Sequence, residues 1–348
     1  MSETLDHIVT IGASAGGVES LREVVKGLPA DFPAPVFVVL HIPAYQPSAL
    51  PRILQNSGSL AACHPKDGEP IRPNRIYVAP PDHHMLVDTQ TIGVKKGPKE
   101  NRFRPSIDTL FRSAAYSFGS NVIGVVLSGA LDDGTSGLWT IKRLGGTTVV
   151  QEPKNSRFES MPLSALEQVT IDHTLPAADI GPLVARLASI KRPEGTVGDE
   201  ALRKRLKTEM RIAAEAGAFQ KGIMEWGELT PFTCPECHGV LVKLIEDKIT
   251  RYRCHTGHAY SDSSLLEGVM ESTGEMLWQV MRSMEEAVML LDHLGQHMKD
   301  EDAKNRAKVL GAKAREVEER SKEFRDAALA QEILSTENLV GSVPKDGE

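Results

Sequence analysis

A loop near the start of the chain, "IGASAGG", presents one serine among small residues. Ser14 stands where a dinucleotide-binding loop has its second glycine, and no P-loop Lys-Ser/Thr pair follows, so a phosphate site is disfavoured. The small neighbours leave the Ser14 hydroxyl exposed at the end of an apolar run, and a helical pattern begins just behind it. Free N–H groups of a first helical turn can stabilise an oxyanion. Ser14 is therefore either a nucleophile or a serine in a structural turn.

A serine nucleophile needs a base, and the base needs an orienting acid. His41 closes the apolar run "PVFVVLH", and Asp133 follows the run "VIGVVLSG", with Asp132 as a rival for the same role. Taken singly, a capped or core histidine and an N-cap or turn aspartate are the better interpretations, but three such residues at three strand ends are less easily explained by chance. Because ligands bind at the carboxyl ends of strands in an open α/β sheet, we expect Ser14, His41 and the acid to meet in one crevice.

These residues must be positioned by the strands and helices of the first 190 residues, where short apolar runs alternate with helical patterns. Runs such as "PVFVVL" are apolar on both faces, which is typical of central parallel strands covered by helices on each side. The fold class predicted is α/β, with a doubly wound, mostly parallel sheet. The predicted strands are 8–11, 36–41, 75–79, 91–95, 122–128 and 147–151, and the predicted helices 17–28, 47–57, 106–117, 136–144 and 162–168.

A second group of chemically active residues lies in "CPECHGVLVKLIEDKITRYRCHTGH". Cys234 and Cys237 form a Cys-x-x-Cys turn, a predicted hairpin follows, and Cys254 and His258 complete a Cys₃His set that suits tetrahedral zinc. His255 is a rival for the fourth ligand, and His238 is a weaker one. Four protein ligands leave no open position, so we expect a structural zinc in a small zinc-ribbon-like module. A redox Cys-x-x-Cys is disfavoured because no thioredoxin-like context surrounds it.

After Ser264 apolar residues recur at spacings of three and four in two long segments, which predicts an antiparallel helical hairpin. Its apolar stripe serves internal packing, a homodimer contact or partner docking. The predicted organisation is an α/β domain at 1–190, a linker with a connecting helix at 191–230, the Cys/His module at 231–262, the hairpin at 263–335 and a disordered tail at 336–348. We expect the module and the α/β domain to have separate cores, so that deleting 190–348 leaves the chemistry intact.

The composition excludes several classes of protein. The chain has 348 residues and a formal net charge of -7, and no long basic run is present, which disfavours nucleic-acid binding. No stretch approaches the roughly 18 apolar residues of a membrane span, and no signal peptide is recognisable, so we expect no membrane insertion. Three of four cysteines cluster like metal ligands rather than disulfides, so a reducing cytoplasm is the expected location.

Several stretches together resemble one family, the CheB protein-glutamate methylesterases of bacterial chemotaxis. They occur in the family's order over about residues 6–187: "IGASAGG", "VVLHIPA", "IYVAPPDHHMLV", "RPSIDTLFRSAA", "VVLSGALDDGTSGL" and "VVQEPKNSRFESMP". The resemblance implies Ser14 as nucleophile, His41 as base and Asp133 as acid. Asp133 is preferred to Asp132 because the family's acid directly precedes the glycine, here Gly134.

The resemblance also implies the reaction and the partners. The family hydrolyses glutamate γ-methyl esters on chemoreceptor cytoplasmic helices without a cofactor, and some members deamidate receptor glutamines. Arg104, in "RPSID", is a candidate for steering an acidic receptor helix, with a structural salt bridge as the alternative. The alternative function is a non-catalytic adaptor, which binds receptor helices and recruits a partner through the C-terminal module.

The sequence departs from the family's pattern in two respects. The usual phosphorylatable receiver does not precede the first strand, so we expect that control to be absent. Ala130-Leu131 stand where the family often has Met-Gly, Ser128 replaces a frequent Thr, and Ala15 replaces another. These changes lie at the presumed substrate mouth, and they bear on the substrate more than on the chemistry.

Overall fold

The structure, a computed structural model, describes residues 5–190, 200–215, 217–297 and 301–331. The predicted disordered tail at 336–348 and the first part of the predicted linker, 191–199, lie outside these ranges. The first compact unit runs to Leu265 and the second begins at Leu266. The proposed domain boundaries stay predictions.

The first unit contains all of the described strands and most of the helices. Its strands are β1 (Ile8–Ala13), β2 (Val36–Leu40), β3 (Ala61–Cys63), β4 (Glu69–Pro70), β5 (Arg75–Val78), β6 (His84–Val87), β7 (Thr91–Lys95), β8 (Val122–Val126), β9 (Thr147–Gln151), β10 (His173–Leu175), β11 (Glu228–Thr233), β12 (Val240–Glu246), β13 (Ile249–Cys254) and β14 (Ala259–Ser261). The helices of the chain are α1 (Gly17–Lys26), α2 (Leu50–Ser57), α3 (Ile107–Phe118), α4 (Thr135–Arg143), α5 (Ser160–Gln168), α6 (Ala177–Ala188), α7 (Glu200–Glu215), α8 (Asp262–Gln296) and α9 (Glu301–Gln331).

A seven-stranded sheet forms the centre of the first unit, in the order β10-β9-β8-β1-β2-β5-β3, and all of its neighbouring pairs are parallel. The chain builds outward from β1 through β2 to β5, and then returns to place β8 on the other side of β1. This reversal puts the topological switch point between β1 and β8, where doubly wound sheets bind ligands. The predicted fold class is confirmed.

The two faces of the sheet bury separate apolar clusters, as expected for strands that are apolar on both faces. Val36 and Val38 of β2 pack with α1, α2 and α6, whereas Phe37 and Val39 of the same strand pack with α3, α4 and α5. The alternation along a single strand thus supplies both layers of helices.

Two smaller antiparallel sheets complete the first unit. The strands β4, β7 and β6 form one of them, and β11, β12, β13 and β14 form the other. The predicted hairpin of the Cys/His module is present, since Glu246 of β12 pairs with Ile249 of β13 across a tight turn. Tyr252, Tyr260 and Leu265 form a small apolar core with the cysteines.

The second unit is the predicted helical hairpin. An ion pair of 2.8 Å joins Glu285 of α8 to Arg325 of α9, and the ideal Cβ position of Gly295 lies 3.8 Å from the Ala307 carbonyl oxygen. These contacts require the two helices to run antiparallel. Met276 and Met289 stay more than half exposed on α8. The homodimer through this hairpin stays a prediction. Among the described helices, none has the length and apolar character needed to cross a bilayer.

Candidate active site

Ser14 directly follows β1 at the switch point of the sheet. Its N–H donates to the Ser128 carbonyl at 3.0 Å, and its own carbonyl accepts the Gly17 N–H at 2.9 Å. Gly16 has φ 69°, and a Cβ there would lie 2.8 Å from Arg157 Cβ, so the turn requires glycine at this position. The backbone therefore fixes Ser14 between the ends of β1 and β8.

The turn also leaves backbone donors free beside the Ser14 hydroxyl. Within the described part of the chain, the N–H groups of Ala15 and Gly16 have no hydrogen-bond acceptor. The Gly17 N–H, at the start of α1, is already bonded to the Ser14 carbonyl. Ala15 and Gly16 are therefore the available donors next to the nucleophile candidate.

His41 is the first residue after β2, which is the strand next to β1. Its Nδ1 lies 3.1 Å from Ser14 Oγ, and its Nε2 lies 2.8 Å from Asp133 Oδ2. The ring stacks on Phe103 with a centroid distance of 3.7 Å, and its side chain is only 3% exposed. With a proton on Nε2, the ring donates to Asp133 and its Nδ1 accepts the Ser14 hydroxyl. The structure thus brings the three predicted residues into one hydrogen-bonded chain.

The start of α3 surrounds the Asp133 carboxylate with donors. The Ile107 N–H donates to Oδ2 at 2.7 Å, the Ser106 hydroxyl donates to Oδ1 at 3.1 Å, and the Asp108 N–H donates to Oδ1 at 3.2 Å. These groups belong to a helix N-terminus, which favours negative charge. The helix therefore fixes the position of the carboxylate that contacts His41.

The pKa values of two buried carboxyl groups at this point are shifted in opposite directions. Burial alone would raise the pKa of Asp133, but the hydrogen bond and charge of His41 and the donors of Ile107 and Asn101 hold it below its usual value. Burial and the negative charge of Asp133 raise the pKa of Asp108 to about 7. Asp133 is thus held as an anion, while its neighbour Asp108 carries the tendency to take up a proton.

The rival aspartate, Asp132, is bonded elsewhere. Its two carboxylate oxygens accept hydrogen bonds from the Ser261 and Ser263 hydroxyls, each at 2.6 Å. Burial raises the pKa of Asp132 although both serine hydrogen bonds oppose the shift. The His41 ring contacts Asp133 and not Asp132, so the geometry separates two adjacent aspartates that the strand-end argument left equivalent.

Arg104 does not project as a free cation. Its Nη2 lies 2.5 Å from Asp82 Oδ1, and its Nη1 donates to the Gly97 carbonyl at 2.6 Å. The side chain is 17% exposed. These contacts favour the structural salt bridge over the substrate-steering role.

The predicted metal ligands also lie together. Ligand atoms of Cys234, Cys237, Cys254 and His258 all fall within 4.8 Å of one another. The Cys237 and Cys254 sulfurs are 3.6 Å apart, and His258 Nδ1 is 3.6 Å from the sulfurs of Cys234 and Cys254. Such spacings suit a tetrahedral site with metal–sulfur bonds of about 2.3 Å.

The rival metal ligand, His255, lies against the Cys-x-x-Cys turn instead. Its ring atoms lie 2.2 Å from the position that a Cβ of Gly239 would take. His255 is not part of the four-residue group described above. The two histidines of "CHTGH" therefore have different surroundings, although the sequence left both as candidates.

Two residues of the acid's surroundings, Asn101 and Ser106, were missed by the sequence argument. Ser106 precedes the helical pattern "IDTLF", so its place at a helix start was readable from the sequence. Asn101 carried no comparable signal, because it lies in a loop whose proximity to Asp133 depends on the tertiary fold. It has φ 50° and is 5% exposed, and its amide donates to Asp133 Oδ1 at 2.9 Å.

The fold and site define a doubly wound α/β domain with a serine, a histidine and an aspartate aligned at its switch point. The CheB methylesterase family matches residues 9–184, just over half of the chain. The chain belongs to the CheB methylesterase family.

Similar proteins support this placement. A Rhodospirillum rubrum protein named protein-glutamate methylesterase/protein-glutamine glutaminase 2 is 38% identical over 180 residues, covering 51% of this chain and 49% of that protein. A Leptospira interrogans protein, named as a putative enzyme of the same kind, is 37% identical over 51% of this chain and 93% of its own length. The crystal structure of the Thermotoga maritima CheB methylesterase catalytic domain matches with TM-score 0.50 and 34% identity, covering 52% of this chain and 98% of that one. The chain thus spans about half the length of the Rhodospirillum protein.

Proposed function

We propose that the chain hydrolyses glutamate γ-methyl esters on chemoreceptor-like signalling proteins, with Ser14, His41 and Asp133 as its triad. The observation that carries the proposal is the continuous hydrogen-bonded chain from Ser14 Oγ through His41 to Asp133 Oδ2, at 3.1 and 2.8 Å. The names of the relatives, which pair methylesterase with glutaminase, support the substrate class. The intact alignment also favours a hydrolase over a non-catalytic adaptor, which would have no need of it.

In this mechanism His41 Nδ1 takes the Ser14 proton while Ser14 Oγ attacks the ester carbonyl carbon. The carbonyl oxygen becomes an oxyanion, which the free N–H groups of Ala15 and Gly16 stabilise. Asp133 accepts the Nε2–H and stabilises the imidazolium that forms. His41 then donates its Nδ1 proton to the departing methoxide oxygen, so methanol leaves and an acyl-serine remains.

Deacylation repeats the same proton path with water. His41 takes a proton from water, the resulting hydroxide attacks the acyl carbonyl, and Ser14 recovers its proton. The product is a free glutamate, which adds one negative charge to the receptor surface. The same route deamidates glutamine if ammonia replaces methanol as the leaving group.

The proposal includes a metal in the Cys/His module. Three thiolates and one imidazole form a closed set of soft and borderline ligands, which zinc prefers, and the spacings described above fit it. Zinc would cross-link β13, the Cys-x-x-Cys turn and the residues before β14. The module has a very small apolar core, so such a cross-link supplies much of its folding free energy.

Metal content tests this part directly. We expect about one zinc per chain by mass spectrometry of the native protein. His258→Ala should weaken zinc binding by 10-fold or more, because it removes a ligand, whereas the matched control His255→Ala should leave it within about twofold. Zinc retention by the His258 variant with loss in the His255 variant would reverse the ligand assignment.

The substrate proposal is tested with chemoreceptor membranes that carry radiolabelled glutamyl methyl esters. Purified chain should release labelled methanol, and unmethylated membranes with glutamine at the same sites should report ammonia if deamidation also occurs. If the chain hydrolyses a small ester but releases no methanol from receptor membranes, it is an esterase and the proposed receptor substrate is wrong. The cytoplasmic location belongs to the same proposal, since the receptor segments that the family modifies are cytoplasmic.

A further inference from the structure

The Cys/His module contacts the loop before α3 through its last strand. The Asn101 N–H donates to the Ala259 carbonyl at 2.8 Å, and the Ala259 N–H donates to the Lys99 carbonyl at 3.3 Å. Ala259 directly follows the candidate metal ligand His258. Two backbone hydrogen bonds therefore join the residue after a ligand to the residues 99–101 of the α/β domain.

The Asn101 side chain connects this strand to the triad acid. Its amide nitrogen donates to Asp133 Oδ1 at 2.9 Å and to Asp108 Oδ2 at 3.0 Å. Its amide oxygen accepts the Ser261 N–H and the Ser264 hydroxyl, each at 3.0 Å. Both amide hydrogens and both oxygen lone pairs are thus used.

The donors Ser261 N–H and Ser264 hydroxyl fix which way the amide points. Only with its oxygen toward Ser261 and Ser264 does Asn101 present its two N–H bonds to the carboxylates. Without those donors the amide loses the contacts that oppose rotation. The two carboxylates would then face each other without a shared donor, and like charges in a buried site repel strongly.

We propose that Asn101 is a positioning residue for Asp133, and that Ala259 and Ser261 of the Cys/His module, with Ser264 at the start of α8, hold Asn101 in its working orientation. The module then completes the surroundings of the triad rather than serving only as a separate binding domain. This inference rests on the proposed function for its kinetic consequences, but its structural consequence for the His41–Asp133 pair does not need a substrate.

The expected pH effect follows from the groups around Asp133. The titratable groups near it are His41, His84, Asp108 and Asp132. Arg112 lies 3.7 Å from the Asp108 carboxylate. If Asn101 stops donating, the anionic Asp133 loses a hydrogen bond that stabilises its charge. The Asp133 carboxylate then stabilises a protonated His41 ring more strongly. The His41–Asp133 pair should then take up a proton at higher pH than in the parent chain.

The experiment compares three variants of the full chain. Asn101→Asp removes the amide donors, and Ser264→Ala removes the hydroxyl at the start of α8 that donates to Asn101. Ser263→Ala is the matched control, since its hydroxyl contacts Asp132 instead. The titration midpoint of the His41 ring is read by ¹⁵N NMR of histidine-labelled protein. The kcat, KM and acid limb of methanol release are measured in parallel.

We expect Asn101→Asp to lower kcat on the order of 100-fold and Ser264→Ala several-fold, both with KM within about twofold and with the acid limb moved to higher pH. The His41 midpoint should rise in both variants and stay unchanged in Ser263→Ala. If Asn101→Asp fails to fold, the Ser264 and Ser263 pair decides the result. Folded Asn101→Asp and Ser264→Ala variants with the parent midpoint overturn the proposal.

The metal provides an independent arm of the same test. Chelation of the full chain should raise the His41 midpoint as Ser264→Ala does, and added zinc alone should restore it. A metal-free chain with the parent midpoint overturns the coupling. If the midpoints shift as expected but the parent chain releases no methanol, the proposed substrate is wrong and the positioning role of Asn101 is still supported.

Discussion

Asp132 and Asp133 are neighbours in the sequence, but their carboxylates have different partners. Asp133 lies 2.8 Å from His41 Nε2 and receives donors from the start of α3. Asp132 accepts hydrogen bonds from the hydroxyls of Ser261 and Ser263. The difference supports Asp133 over Asp132 as the orienting acid of the proposed triad.

The assignment predicts unequal effects of two matched substitutions. Asp133→Asn should lower kcat by about 10⁴, because an amide cannot hold the imidazole in the tautomer that accepts the Ser14 proton. Asp132→Asn should lower kcat by less than about 10-fold, since that side chain does not contact His41. The measurement is methanol release by both purified variants. A larger loss in Asp132→Asn than in Asp133→Asn would show that the wrong aspartate was chosen.

The sequence predicts that Ser14 and His41 lie close together, because each ends an apolar run and strand ends of a parallel sheet converge; their side chains are 3.1 Å apart. This argument could not separate Asp132 from Asp133, because an apolar pattern does not fix the end of a strand to within one residue. Asn101 was beyond reach for a different reason. Three of its four side-chain hydrogen bonds join it to Asp133, Ser261 and Ser264, which are distant in the sequence.

At the scale of elements, α3 is the helix that fixes the candidate acid, and its first turn carries the second buried carboxylate. The Asp108 Oδ1 accepts the Gly137 N–H at 2.6 Å and the Gly134 N–H at 3.1 Å, which ties α3 to the start of α4. Asp108 has a pKa of about 7, raised by burial and by Asp133. The carboxyl group that joins α3 to α4 therefore titrates near neutral pH.

This titration predicts how stability depends on pH. The folded chain binds more protons at Asp108 than the unfolded chain between about pH 4 and pH 7, so this group lowers the free energy of unfolding as pH rises through that window. The contribution has a slope of at most about 1.4 kcal/mol per pH unit. Asp108→Asn should flatten the slope measured by urea unfolding, whatever its absolute stability.

A matched control for the Asp108 experiment is Asp88→Asn, at the exposed turn between β6 and β7. This variant should keep the parent slope. An Asp108 variant whose unfolding free energy falls between pH 5 and pH 7 as steeply as that of the parent would show that another group titrates there.

Elements with strong apolar runs were predicted well, whereas helix α6 and strand β6 were missed. The strands β1, β2, β5, β7, β8 and β9 were predicted to within a few residues. Helix α6 was missed because Gly181-Pro182 reads as a break, yet Pro182 lies inside the helix and packs close to Gly27. Strand β6 was missed because its four residues follow the turn "PPDH" and pair only with β7.

At the scale of the whole chain, a buried ion cluster joins the α/β domain to α7 and the Cys/His module. We define the buried ion cluster as Glu100, Arg112, Glu209, Glu246, Arg251 and Arg253. Arg253 Nη2 lies 2.7 Å from Glu100 Oε1, and Arg112 Nε lies 3.0 Å from Glu209 Oε2. Arg112 also pairs directly with Glu100. The apolar cores are distinct, but these charges depend on partners from both sides.

The cluster changes the expectation for truncation. Cutting the chain after residue 190 removes Glu209, Arg251 and Arg253 and leaves Glu100 and Arg112 with incomplete partners. Breaking a buried ion pair costs about 3–5 kcal/mol. We therefore expect the 1–190 fragment to melt on the order of 10 °C below a 1–265 fragment. It should also lose most of its kcat, since the contacts to Asn101 are removed as well.

The 1–265 fragment is the control for this comparison, because it keeps the first compact unit and omits the residues after it. Calorimetry and methanol release on both fragments provide the readout. Equal melting temperatures and equal kcat would restore the original expectation that the tail is dispensable for the chemistry. They would also reduce the buried ion cluster to a contact without energetic consequence.

The central claim is that Ser14 is a nucleophile, and one measurement tests it most directly. Methanol release from methylated chemoreceptor membranes is compared between the parent chain and Ser14→Ala, with matched folding shown by calorimetry. The account predicts a loss on the order of 10⁶ in rate, which is complete at the sensitivity of the assay, because triad members act as a unit. A folded Ser14→Ala chain that still releases methanol at a tenth of the parent rate would contradict it.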